Sequence, residues 1–253
     1  DIEIYSAGEE IYWTEYTDSK FQIKRSDTYG TNVEIYTAYP DTAFHGPTTI
    51  AIDNTTGLLY WSMHNTSSLN NTIFYTGLNA FAQNTWREIT QSYYTYGLCL
   101  DTIHRMLYFT DNTYWDVSTP AGSGYNGISA YGTLDDNGAA FSSPLSINNP
   151  PGPSSALRDI AADSASSRIF YVTNDSSGMR IMRARYDFQE ITELISSQAA
   201  GIQKIALDLA ERKIYWTTAT GNDIYRADLD SVNSNIEKFL TLSSRPNGIV
   251  VVP

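Results

Sequence analysis

The six residues IYWTEY, 11–16, place two aromatic rings side by side between a β-branched residue and a threonine–acid pair. The same grouping returns along the chain as LYWS (59–62), LYFT (107–110), FYVT (170–173) and IYWT (214–217). With Trp13, Trp61, Phe109, Tyr171 and Trp216 as markers, the steps are 48, 48, 62 and 45 residues, so the third interval carries an insertion. Ahead of four copies stands a short apolar stretch ending in an acid: IAID to Asp53, LCLD to Asp101, IAAD to Asp163 and IALD to Asp208. Seven positions separate each of these acids from the first ring of its pair: Tyr60, Tyr108, Phe170 and Tyr215, the counterparts of Tyr12. Repetition at a fixed period of this length marks whole structural units.

A third stretch follows each pair, as IYRADLD (224–230), IMRARYD (181–187) and, more loosely, IFYTGLN (73–79). A fourth, alternating apolar and polar, closes each unit, as in NVEIYTA, TWREITQ, ITELISS and IEKFLTL. Period-2 alternation argues strands, and units of four antiparallel strands at about 40–50 residues are the pattern of propeller blades. The fold class expected is all-β: a β-propeller of five four-stranded antiparallel blades, six being the alternative. A single domain over 1–253 divides into blades at about 1–40 with a closing strand 246–252, then 47–91, 96–147, 157–197 and 202–243. Both IEIY (2–5) and RPNGIVVVP (245–253) read as innermost strands, so the ring is expected to close through its N- and C-terminal strands.

The succession of these three strand types resembles the YWTD repeats of the low-density lipoprotein receptor class of β-propellers, and the resemblance covers nearly the whole chain. It implies a ligand-binding scaffold. Relatives carry six repeats where five are found here, and the cysteine-rich modules that flank receptor propellers are not in this sequence.

Composition narrows the function. The formal net charge is −12 and 17% of residues are charged, which disfavours nucleic acid and anionic membrane surfaces. No apolar run reaches the roughly 20 residues of a membrane-spanning helix. The chain opens at DIEIYS without a basic, apolar leader, which fits a mature, processed protein. Cys99 is the sole cysteine, so no internal disulfide forms and no cysteine cluster awaits zinc. The sequons at Asn54, Asn65, Asn70 and Asn174 suit a secreted or extracellular location.

Within such a ring the repeated aromatics are packing between blades, and Asp53, Asp101, Asp163 and Asp208 cap turns rather than form a metal-binding ring. Function is then expected in the loops that the repeats do not share. The loops between strands four and one, and between strands two and three, emerge on one face. They carry Tyr, Asn, Asp, Ser and Thr and few Lys. His45, His64 and His104 fall in different loops with no metal or nucleophile motif, and AGSGYNG (121–127) does not link a strand to a helix as a phosphate cradle does. An enzyme is not expected; a hydrolase with an axial metal, drawing His45 and His64 toward Asp18 or Asp111, is the third reading. No cofactor is implied.

The leading expectation is a lectin. Tyr114, Trp115 and Tyr125, with Asn112 and Asp116, have the make-up of a sugar site in the inserted loop, where rings stack on a pyranose face and amides and carboxylates bind hydroxyls. Further candidates on the same face are His45, His64, Asn65, Tyr94, Asn174, Asp175 and Asn222, and repeated weak sites would add by multivalency. Trp86 reads as edge packing. The alternative is a receptor-type module whose aromatic anchors and acidic field hold a basic protein or peptide. The partners expected are accordingly glycans or glycoproteins, or else a basic protein.

Overall fold

The computed structural model describes residues 1–17, 20–39, 44–65, 71–79, 87–92, 94–112, 126–132, 145–147, 156–196 and 200–251. Twenty strands form five four-stranded antiparallel sheets around an axis, and no α-helix occurs among the described residues. The protein is a five-bladed β-propeller. Blade one holds β1 (Ile2–Tyr5), β2 (Glu10–Thr17), β3 (Lys20–Asp27) and β4 (Glu34–Tyr39). Blade two holds β5 (Phe44–Asp53), β6 (Leu58–Asn65), β7 (Asn71–Gly77) and β8 (Arg87–Ser92). Blade three holds β9 (Leu98–Asp101), β10 (Met106–Asn112), β11 (Asn126–Gly132) and β12 (Leu145–Ile147). Blade four holds β13 (Ala156–Asp163), β14 (Arg168–Asp175), β15 (Gly178–Arg185) and β16 (Thr192–Ile195). Blade five holds β17 (Ile205–Asp208), β18 (Lys213–Thr217), β19 (Asp223–Asp228) and β20 (Glu237–Thr241).

The register of the first two strands is the same in every blade: Ile2 faces Trp13, Ile50 faces Trp61, Leu98 faces Phe109, Ile160 faces Tyr171 and Ile205 faces Trp216. Successive side chains of a strand point to opposite faces. The two rings of each pair therefore enter different seams. Tyr12 packs with Trp61 between blades one and two, Tyr60 with Phe109 between two and three, Tyr108 with Tyr171 between three and four, and Phe170 with Trp216 between four and five. These eight rings are at most 3% exposed. The hydroxyl that follows a pair ties down the chain entering the innermost strand: Thr110 Oγ1 accepts from the Tyr96 and Gly97 amides, and Thr217 Oγ1 from the Lys204 amide at 3.2 Å.

The turn from the first to the second strand is also built alike five times. Its last residue is left-handed in each: Glu9, Gly57, Arg105, Ser167 and Arg212, with φ from 52° to 66°. Such a φ is comfortable only for glycine among these, and in blades two to five the acid at the strand end holds the four-residue turn in place. Asp53 accepts from the Thr55 amide, Asp101 from Ile103 and His104, Asp163 from Ser166 and Asp208 from Glu211.

Two features depart from the sequence reading. Blade two begins at Phe44 rather than at 47. The terminal segments do meet at the closure, where a Cβ on Gly248 would lie 3.0 Å from Ile2 Cγ2 and 3.3 Å from Asp1 Cα. The C-terminal segment joins no sheet, however, because β1 already fills the innermost place of blade one. Burial makes the seam rings unequal in worth. Trp61→Ala or Trp216→Ala is expected to lower stability by about 3–5 kcal/mol, and Trp13→Ala, whose ring is half-buried, by no more than about 2 kcal/mol; urea unfolding midpoints at unchanged m-value check this order.

Candidate functional site

The face that bears the strand-two-to-three and four-to-one loops carries the candidate site. Its described part is centred on the N-terminal ends of the innermost strands. His64, near the end of β6, has its Nδ1 3.0 Å from Asn71 Oδ1 and its ring stacked on Tyr94 at 4.9 Å between centroids and 25° between planes. Tyr94 in turn stacks on Tyr96 at 6.4 Å and 11°. The backbone of Tyr94 is fixed by exchange with that of Asn112, at 2.8 and 3.1 Å. The Asn112 side chain then acts as a backbone mimic: Nδ2 donates to Tyr94 O and Leu157 O, and Oδ1 accepts from the Leu157 amide at 2.8 Å. This amide is a strap from blade three to blade four, with its polar atoms engaged. Burial pushes the Tyr96 phenol up to about 12.

Beside this ladder lies a charged cluster that the sequence reading missed. Lys204 Nζ donates to Tyr96 O at 2.9 Å and to Asp159 Oδ1 at 3.2 Å, and sits 3.5 Å from Asp1 Oδ1. Asp159 Oδ2 accepts from the Ile205 amide at 2.8 Å, while Asp1 Oδ2 accepts from Thr49 Oγ1 and the Ile50 amide. One ammonium thus joins blades one, three, four and five. Burial raises the Asp159 carboxyl against the opposing pull of Lys204. The signal that marks this cluster is Lys204 itself, a lysine immediately ahead of an apolar innermost strand; Asp159 is reached through a register shift between Leu157 and Asp159.

Below the cluster the axis is a cavity of about 250 Å³ lined by Ala51, Cys99, Ala161, Ala206 and Val250, with Glu3 as its ionisable wall. Burial first, and the Asp159 charge second, push the Glu3 carboxyl up to about 8. Burial likewise pushes the Cys99 thiol well up.

The remaining candidates are spread out. Asp175 pairs with Arg180, which also bonds Glu193 at 3.0 Å, and Asn174 is half-buried in blade four. Asn222 lies in the β18–β19 turn of blade five, where its carbonyl accepts from the Leu242 amide. His45 and Asn65 are placed on β5 and β6, with His45 opposite His64 in register; their side chains are not described. Tyr114, Trp115, Asp116 and Tyr125, as well as Asp18, Asn70 and Trp86, lie outside the described residues. Asn54, the first sequon, spends its amide on Ile4 O and its carbonyl on the Ser6 amide, a link from blade two to blade one.

On the opposite face the strand-end acids are engaged by their neighbours rather than by each other. Arg105 of blade three reaches back to Asp53 at 2.5 Å, and Arg212 of blade five to Asp163 at 2.8 Å. His104 Nδ1 lies 2.6 Å from Asp101 Oδ2. No group of three or more His, Cys, Asp or Glu side chains suited to a metal occurs among the described residues.

Solved structures place this architecture. The chain is similar to a propeller in the crystal structure of a nidogen/laminin complex, with a TM-score of 0.67 and 16% identity over 96% of this chain and 80% of that one. It is similar to TolB from Acinetobacter baumannii at 0.63 and 13%, covering 88% and 50% of the two chains. It is also similar to an oligogalacturonate lyase solved with manganese, at 0.57 and 10%, covering 93% and 63%. At these identities the likeness establishes the propeller fold and nothing finer. No protein-family model matches the chain, and no curated protein matches it in sequence. Among these neighbours one sits in a protein–protein complex and one is an enzyme, so the scaffold leaves the chemistry to the loops.

The titrating groups oppose each other. For Asp53, Asp101 and Asp163, burial alone would raise the carboxyls, but amide donors, with Arg105, His104 and Arg212, outweigh it and hold them below the usual range. Their contribution to stability is present above the ordinary carboxylate range and is lost as pH falls through it. Glu3 runs the other way: the folded chain keeps a proton up to about 8 that the unfolded chain releases near 4.5. Stability is therefore expected to fall as pH rises between these values. Glu3→Gln should flatten the decline, with a gain on the order of 1 kcal/mol at the alkaline end, read as the urea midpoint across the range.

Proposed function

We propose that the chain is a protein-binding propeller module that takes a polypeptide ligand on its loop face. The observation that carries this reading is the ladder His64–Tyr94–Tyr96. It is a row of stacked rings locked by Asn71 and Asn112 and open enough to be half-buried rather than buried. Rigid aromatic groups lose little conformational entropy on binding and dominate protein interfaces as anchors. The net charge of −12 steers basic ligands toward the molecule at long range. The similarity to a chain from a nidogen/laminin complex, a protein–protein assembly, supports the reading. The sugar reading rests on Tyr114, Trp115, Asp116 and Tyr125, which lie outside the described residues. Of its described members, Asn112 has its amide engaged between blades. The protein reading is therefore preferred.

Fluorescence titration with a library of Lys- and Arg-rich peptides at low and high salt tests it. Binding is expected to weaken with ionic strength, and Tyr94→Ala to lower affinity about tenfold, or about 1.4 kcal/mol, without loss of the folded state. Salt-indifferent binding to glycans alone, unchanged in Tyr94→Ala, would replace this reading with the lectin.

A further inference from the structure

The innermost strands follow one pattern and break it once. In each blade one residue of that strand lies opposite the first ring of the aromatic pair: Glu3 opposite Tyr12, Ala51 opposite Tyr60, Cys99 opposite Tyr108, Ala161 opposite Phe170 and Ala206 opposite Tyr215. All five line the axial cavity. Four of them are small, so the ring leaves this layer hollow where larger side chains would fill it. In the fifth place stands a carboxyl on a longer stem, and Glu3 keeps part of its surface free inside the hollow.

The chamber has two different ends. Two residues earlier on the path of the same strands come Asp1, Thr49, Gly97, Asp159 and Lys204. Here the Lys204 ammonium reaches across the axis to Asp1 and Asp159, one positive charge set against two carboxylates. At the other end Thr102 and Leu209 belong to the lining and are exposed, so the mouth lies on the turn face, away from the aromatic ladder. Between the ends the walls are alkyl side chains. The ionisable groups that face Glu3 are Asp159, Lys204, the α-amino group of Asp1 and the Cys99 thiol. Its only hydrogen-bond donor among the described residues is its neighbour's amide, that of Ile4. A buried carboxyl so poorly supplied with donors carries a desolvation cost that a ligand can relieve.

We propose that the axial chamber binds a small primary aliphatic amine, whose ammonium pairs with the Glu3 carboxylate and whose alkyl chain lies against Ala51, Ala161 and Ala206. The walls call for an apolar body, and the lone carboxyl calls for a donor. The excess of carboxylate at the inner end favours a cation and repels carboxylates and phosphates. A bare metal ion is a poor occupant, since no cluster of three ligating side chains occurs among the described residues. The cavity of about 250 Å³ lies below the roughly 300–1,000 Å³ of sites for drug-sized ligands, so the body is a short chain. Without ligand Glu3 keeps its proton up to about 8. An entering ammonium displaces that proton to solvent through the mouth, so below this value affinity is expected to rise with pH, by up to about tenfold per unit. The site lies on the opposite face from the polypeptide-binding ladder and does not depend on that reading.

Calorimetric titration of the full chain with n-butylamine tests this, with 1-butanol and butyrate as controls. Butylamine is expected to bind saturably at one site per chain, butanol at least tenfold more weakly and butyrate not at all. Affinity should rise about tenfold from about pH 6 to about pH 7, with chemical-shift changes at the amides of 51, 161 and 206. Glu3→Gln, which keeps the shape and removes the charge, should lower affinity tenfold or more, and Ala161→Leu should abolish binding by filling the chamber. If the leucine variant has a lowered melting temperature, Glu3→Gln carries the test. Tyr94→Ala should leave amine binding unchanged. The proposal is overturned by no saturable binding up to about 10 mM, by equal binding of butanol and butylamine, by undiminished binding in Glu3→Gln, or by shifts confined to residues outside the chamber.

Discussion

Two large rings on consecutive residues of one strand must point to opposite faces of the sheet. From that constraint the architecture follows. A four-stranded sheet carrying such a pair cannot cover both rings by itself, so each blade needs a neighbour on both sides. The requirement passes from blade to blade until the sequence of sheets bends into a ring. The fixed register, with an aliphatic residue of the first strand opposite the second ring in all five blades, keeps every seam at the same depth.

Polar contacts add direction to this packing. On one face the turns are tied backwards, an arginine of one blade holding the strand-end acid of the blade before it. Such pairs are half-buried and contribute through well-aligned hydrogen bonds more than through raw attraction. On the other face Lys204 and its two carboxylates are buried enough that their attraction is offset by the cost of desolvation. Their value lies in geometry: the ammonium accepts only an arrangement in which Asp1, the Tyr96 carbonyl and Asp159 converge.

Much of this was legible in the sequence. The aromatic pair, its spacing from the strand-end acid and the alternation of the outer strands gave blades, strand order and the role of Asp53, Asp101 and Asp163. The half-burial of Trp13 was not legible, because its surroundings depend on which blade precedes it and not on the motif, which matches that of Trp216 letter for letter. Whether IEIY or RPNGIVVVP is the innermost strand of blade one was likewise open, since the first fits the offset and the second resembles an innermost strand; the structure gives each a place along the axis. Lys204 and Asp159 escaped because their partners lie in other blades, and a backbone irregularity turns Asp159 toward the axis. In the candidate site His64, Tyr94 and Asn112 were named but not their stacking, which depends on the bridge between residues 94 and 112.

Lys204 has one more effect. The innermost strands pack in sequence order, β1 on β5, β5 on β9, β9 on β13 and β13 on β17, a nearest-neighbour array of the kind that frays independently from either end. The ammonium of residue 204 breaks that locality by holding residue 1 and residue 96 at once. Loss of the first blade then removes a partner from the fifth, and loss of the fifth leaves the carboxylates of Asp1 in the first and Asp159 in the fourth without their cation. A linear stack of modules is thereby tied from its first blade to its last.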